Sequence, residues 1–260
     1  MRSNPLALAL LLSSVGVAGM AAQQRAAAPT GGCRFQLQHV GGIGKQLVVG
    51  VDTNYYANGG VQLMCADSSA RIAIAGLSQI TPLRLRYLDR VWQLYQQQYG
   101  EEMPVDVWNM HVFVLREEAG NWGVDIPPGF ADVQHGELWE IEDHNNLQLI
   151  EAQIRRMRQW MVEHGQHEKQ LWITEYGILM PPSYGFPPSV VNQFIEDSFD
   201  LFNRLTDPAL GDSADDQRLI QRWTWFSAHD QLYPTPNLFN GRGRANPALR
   251  AMMRYLETHQ

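Results

Sequence analysis

The sequence predicts an α/β protein of the (β/α)8 TIM-barrel class, present as an incomplete barrel with strands 5–8 recognisable and an atypical N-terminal portion. Three observations predict it. From Ala70 onward, short apolar runs alternate with longer amphipathic segments, the pattern of parallel strands joined by crossover helices. The longer loops come after the strands, as they do at the functional end of a barrel. Fewer than fifty residues separate Ala70 from the small residues near Ala21 and Ala22, too few for four more units at ~30 residues each.

The first unit is RIAIAGLSQ, residues 71–79, followed by TPLRLRYLDRVWQLYQQQYG. Its apolar stripe runs Tyr87, Leu88, Val91, Trp92, Tyr95, at the spacing of one helix face, with Arg84, Arg86 and Arg90 off it. Thr81 is placed to cap that helix, Pro82 to occupy its first position and Gly100 to stop it. The second unit opens with the strand PVDVWNMHVFVL, residues 104–115, and a Gly- and Pro-rich loop through about Asn145. Its helix, LQLIEAQIRRMRQWMVEHG, carries Leu147, Ile150, Ile154, Met157 and Met161 on one side. LWITEYGIL and VVNQFIEDSFDLFNRL form the third unit. RLIQRWTWFS, residues 218–227, and a helix from about Pro247 to Glu257 form the fourth.

The N-terminus reads as a signal peptide over residues 1–22: Arg2, an apolar stretch from Leu6 to Val17, then small residues. The length of that stretch, twelve residues, falls short of the ~20 of a spanning helix, so export to the outside or the cell envelope is expected; left uncleaved, the segment would serve as an anchor. Residues 23–69 are atypical, with KQLVVGV, residues 45–51, as one strand. Residues 70–260 form the half-barrel domain. Half-barrels can pair to close a sheet, so a homodimer is compatible with the sequence but not required by it.

A net charge of −7 gives no basic face for phosphates and argues against a nucleic-acid partner. Two cysteines, Cys33 and Cys65, make neither a disulfide framework nor a cysteine-rich metal site. There is no Gly-x-Ser-x-Gly elbow, phosphate-binding Gly-Lys-Ser/Thr loop or dinucleotide fingerprint, and no cofactor is expected. His135, Glu137, Glu140 and His144 offer zinc-type ligands, but their spacing fits no metal motif, and no metal is expected.

In a barrel, chemistry sits on the last residues of the strands. Glu175 stands there in LWITEYG, a carboxylate among Trp172, Ile173 and Tyr176, with Gly177 allowing the chain to turn away. In WNMHVF, Asn109 and His111 share a face by alternation. Trp223 and Trp225, also two apart, offer flat rings for a sugar or for packing. Glu117, Glu118, Glu140 and Glu142 read as solvated loop acids, with a second catalytic carboxyl group as the alternative.

LWITEYG, WNMHVF and RWTWFS, in that order and spacing, resemble strands seven, six and eight of clan A glycoside hydrolases, the retaining (β/α)8 enzymes. The LREEAGNWGVDIPPG loop and DHNNLQLIEAQIRRMRQWM helix resemble a bacterial branch of secreted or surface proteins. The resemblance spans about Ala70 to the C-terminus. It implies a carbohydrate substrate, Glu175 as the nucleophile, and a pocket lined by Asn109, His111, Tyr176, Trp223 and Trp225. Retention needs a second carboxyl group ~5 Å away, in the clan the Glu of an Asn-Glu pair closing strand four. The sequence contains no Asn-Glu pair. The positional match is Asp52 in LVVGVDTNYY, one methylene shorter and without the asparagine. The alternatives to a working hydrolase are a non-catalytic carbohydrate-binding protein and an inactive fragment.

Overall fold

The computed structural model describes Arg71 and residues 73–259. The expected signal peptide, the strand at 45–51, both cysteines and Asp52 lie outside the described residues. Two compact units divide the chain: 76–103 with 107–259 form the larger, while Arg71, 73–75 and 104–106 belong to the other. In the smaller unit Ala73, Ile74 and Val105 are buried.

The larger unit begins with α1, Pro82–Tyr99, entered and left as its sequence dictates. Thr81 Oγ1 accepts the Arg84 amide, Pro82 opens the helix, and Gly100 leaves it at φ 73°, a conformation glycine adopts without a Cβ penalty. Leu83, Leu88, Trp92 and Tyr95 are its buried stripe.

Strands β1 (Val107–His111), β2 (Gln170–Glu175) and β3 (Arg222–Trp223) form a parallel sheet in that order. Helix α2, Leu147–Glu163, crosses from β1 to β2, and α3, Pro188–Arg204, from β2 to β3; α4, Pro247–Thr258, comes after β3. The architecture is therefore mixed α/β around a parallel sheet, with three parallel strands rather than eight among the described residues. The expected strand over 71–79 is no ladder strand but has isolated bridge residues, among them Leu77, paired with Met110, with the Leu77 and Ser78 carbonyls accepting the His111 and Phe113 amides. The expected strand over 218–227 contracts to Arg222–Trp223.

Side-chain amides take over where the ladder stops. Gln79, fully buried, donates to the Leu115 carbonyl and accepts the Leu115 amide, at 3.0 and 3.1 Å. Gln153 on α2 accepts the Ile80 amide at 2.7 Å and donates to the Phe113 carbonyl at 3.1 Å. Both satisfy backbone groups that would otherwise be buried without partners.

The hydrophobic core lies between the sheet and α2 and α3. Leu171 and Ile173 on β2, Ile154 and Met161 on α2, and Ile195 and Phe202 on α3 are fully buried. Arg158 is buried with them at the N-terminal end of the strands. Its guanidinium donates to the carbonyls of Leu219 (2.7 Å) and Lys169 (3.0 Å) and to Gln221 Oε1 (2.7 Å). Burial lowers its pKa to about 10, and Asp212 and Asp215 oppose the shift. Among the described residues no helix is long and apolar enough to cross a membrane.

Candidate functional site

The C-terminal ends of β1, β2 and β3 bring the candidate residues together, and a register shift decides which side chains meet. Pairing runs in step from Val107–Gln170 to Met110–Ile173, and then His111 opposes Glu175, skipping Thr174. One extra residue on a strand re-aims the side chains beyond it. It places the Glu175 carboxylate beside the His111 imidazole, Oε2 to Nδ1 at 3.5 Å.

The same sheet face carries Asn109, whose Oδ1 accepts the Thr174 hydroxyl at 2.8 Å. Arg222 lies over the Trp172 ring, 5.5 Å from its centroid. Thr224 donates its hydroxyl to the Thr174 carbonyl. This face is polar and aromatic, whereas the other face, through Leu171 and Ile173, is the core.

His111 occupies a fitted space. A Cβ at position 76 would lie 2.5 Å from its Cδ2 and 2.7 Å from its Nε2, so only glycine leaves the imidazole where it is. Phe113 meets its ring edge-on at 6.1 Å. Burial holds the His111 pKa down to about 4, so the imidazole is neutral at pH 7. Burial raises the Glu175 carboxyl above its usual range, and the like charge of Asp230 adds to the shift. The contact thus joins a neutral imidazole to a partly desolvated carboxylate and is not an ion pair.

Three of the expected sugar contacts point elsewhere. Tyr176 is fully buried, its ring 5.0 Å from Phe202 and 5.3 Å from Trp225, both edge-on. Trp223 packs on Phe199 and Phe202, and Trp225 on Tyr176 and Phe194, with its Nε1 donating to the Pro236 carbonyl at 2.7 Å. The reason is parity. Trp223 pairs with Ile173, and directly paired residues lie on one side of a sheet, here the side facing α3. Trp172, by contrast, lies on the site face, paired with Asn109.

The loop acids also divide differently from expectation. Glu117 is fully buried: Thr81 Oγ1 donates to its Oε2 at 2.7 Å, Arg84 Nε lies 2.8 Å from its Oε1, and a Cβ at position 136 would collide with its Oε2. It ties the loop after β1 to the start of α1. Glu118 and Glu140 bind Arg116 at the surface. His144 is no metal ligand, because both ring nitrogens are engaged. Nδ1 meets the Val114 carbonyl at 2.8 Å and Nε2 accepts the Leu179 amide at 2.9 Å, joining the loops after β1 and β2. Burial holds its pKa down to about 4 as well. Among the described residues no group of three His, Cys, Asp or Glu could hold a metal.

After β3 the chain makes a pinned loop. Asn237, 3% exposed, accepts the Ser227 hydroxyl and the Asp230 amide at its Oδ1 and donates to the Asp230 carbonyl. Asp230 Oδ1 accepts the Leu232 and Tyr233 amides at 2.8 and 2.7 Å. Sequence reasoning missed Gln79, Gln153, Arg158 and Asn237, and read buried Glu117 as a solvated acid. All are polar residues whose partners are distant in sequence or set by loop geometry, so periodicity carries no signal for them.

No family model matches the chain, and no curated protein sequence matches it. Among solved structures it is similar to a GH128 (subgroup II) endo-β-1,3-glucanase from Sorangium cellulosum, at 14% identity and a TM-score of 0.42 over 78% of this chain and 62% of that one. It is also similar to a GH128 (subgroup II) endo-β-1,3-glucanase from Pseudomonas viridiflava, at 13% identity and a TM-score of 0.43 over 75% of this chain and 58% of that one. The chain thus spans about three fifths of the length of the solved proteins it matches.

Proposed function

We propose that the protein is a glycoside hydrolase acting on O-glycosidic bonds by the retaining route, with Glu175 as nucleophile. The observation that carries this reading is the shift in pairing that turns Glu175 onto the face of His111, at the end of the sheet where barrel chemistry sits. In the first step the Glu175 carboxylate attacks the anomeric carbon as an acid protonates the departing oxygen. In the second, that group takes a proton from water, the water oxygen replaces Glu175, and the carboxylate leaves. Asp52 is the candidate acid, in a segment outside the described residues. Asn109 and neutral His111 are placed to hydrogen-bond sugar hydroxyls, and Trp172 supplies a flat face. With the expected signal peptide, we assign the protein to the outside of the cell or its envelope, with 70–260 as the hydrolase-like domain.

Activated aryl glycosides test this, because a good leaving group needs no acid. The full chain should form a covalent glycosyl adduct on the peptide containing Glu175, seen by mass spectrometry, and Glu175→Gln should not. A folded protein that forms no adduct with any glycoside overturns the enzyme reading. The missing Asn-Glu pair supports a second reading, a carbohydrate-binding protein without turnover. In that case oligosaccharides bind equally well to Glu175→Gln and none is cleaved.

A further inference from the structure

A row of rings leads away from the Glu175 contact. His111 meets Phe113 at 6.1 Å, Phe113 meets Phe226 at 6.1 Å, and Phe226 meets Tyr233 at 6.5 Å, each edge-on. The row begins beside the carboxylate and ends on a turn that holds two large apolar side chains in water: Leu232 is 76% exposed and Tyr233 39%.

That turn is not slack chain. Asp230 Oδ1 fixes the amides of both residues, and buried Asn237 holds the Asp230 backbone at its amide and its carbonyl. Asp230 Oδ2 has no hydrogen-bond donor among the described residues. The turn therefore presents an exposed aromatic ring and a carboxylate oxygen three residues apart. A sugar ring has the matching chemistry, an apolar C–H face bordered by hydroxyl donors.

We propose that the Asp230–Tyr233 turn is a second sugar-binding subsite beside the Glu175 site, and that the ligand is therefore an oligosaccharide chain rather than a single sugar. Tyr233 stacks on one sugar of the chain, and Asp230 Oδ2 accepts one of its hydroxyls. This rests on the hydrolase reading for the place of the bond cleaved, but the subsite itself is a binding claim and can be tested without turnover.

The test is calorimetric titration of the full chain carrying Glu175→Gln with linear β-1,3- and β-1,4-glucan oligosaccharides of two to six units. The same titrations are run with Tyr233→Ala or Tyr233→Phe added. Affinity should rise with length once the chain reaches the turn. Tyr233→Ala should remove roughly tenfold of that gain and leave the shortest ligands unaffected, while Tyr233→Phe keeps it. Equal loss at all lengths, no loss at any length, or no binding by any oligosaccharide overturns the proposal. Length-dependent loss in a protein that never forms a Glu175 adduct sustains the subsite and removes the hydrolase reading. An adduct with no length-dependent loss does the reverse.

Discussion

Glu175 and His111 touch because β2 has one more residue than β1 between their last two pairings, so Glu175 rather than Thr174 stands opposite the imidazole. Turned onto this face, the carboxylate is partly desolvated and meets a neutral ring.

Glu175→Gln should abolish adduct formation and stabilise the fold by about 1 kcal/mol, since replacing a partly desolvated functional carboxylate commonly does so. A rise in melting temperature of roughly 2–4 °C is expected. The native carboxyl has a raised pKa, so the folded state binds its proton more tightly than the unfolded state does. The native protein is therefore penalised as pH rises through that pKa. The advantage of the glutamine variant should be present at neutral pH and vanish below about pH 4; an advantage that grew in acid would contradict the assignment.

Gly76→Ala should cost about 1–3 kcal/mol through overpacking, because the new Cβ meets the His111 ring. His111→Ala opens that space, so the double variant should be more stable than the sum of the two single changes predicts. Additivity within about 0.3–0.5 kcal/mol in denaturant melts would show that the two positions do not press on one another.

Acid should weaken the fold through His111 and His144. Each has a folded pKa of about 4 against an ordinary value of 6.5, so the unfolded chain takes up protons first as pH falls. Stability is complete above pH 6.5 and is lost as pH drops to about 4, by up to about 3 kcal/mol for each ring. His144→Gln should flatten denaturant midpoints measured between about pH 7 and 4. An unchanged slope would place the transition elsewhere.

Glu117→Gln should destabilise the fold by about 3–5 kcal/mol, since it leaves the Arg84 guanidinium buried without its counter-charge. Arg84→Met combined with Glu117→Gln should recover part of that loss. If the single change is silent in a thermal melt, the ion pair does not hold the loop after β1 to α1.

The helices were legible because their signals are local: Thr81, Pro82 and Gly100 bound α1 where the sequence places them. The shared face of Asn109 and His111 came from alternation alone. Alternation put Trp223 and Trp225 on one face without saying which layer that face meets, and Tyr176 entered the pocket through the resemblance alone. Layer depends on pairing, and a one-residue shift reverses the face of every residue beyond it. Fully buried Glu117 escaped for a related reason, since Thr81 and Gly136, which enclose it, have no sequence relationship to it that a pattern can hold.

Arg158 helps to fix where Glu175 stands from the far end of the strands. Its one planar group grips the run-in to β2 at Lys169 and the run-in to β3 at Leu219 and Gln221, so neither strand can slide along its axis without breaking the grip. Such a slide would exchange Glu175 for a neighbour at the other end. The guanidinium therefore works as a registration pin, and a change at Arg158 would detune the carboxylate across the full length of the sheet without touching it.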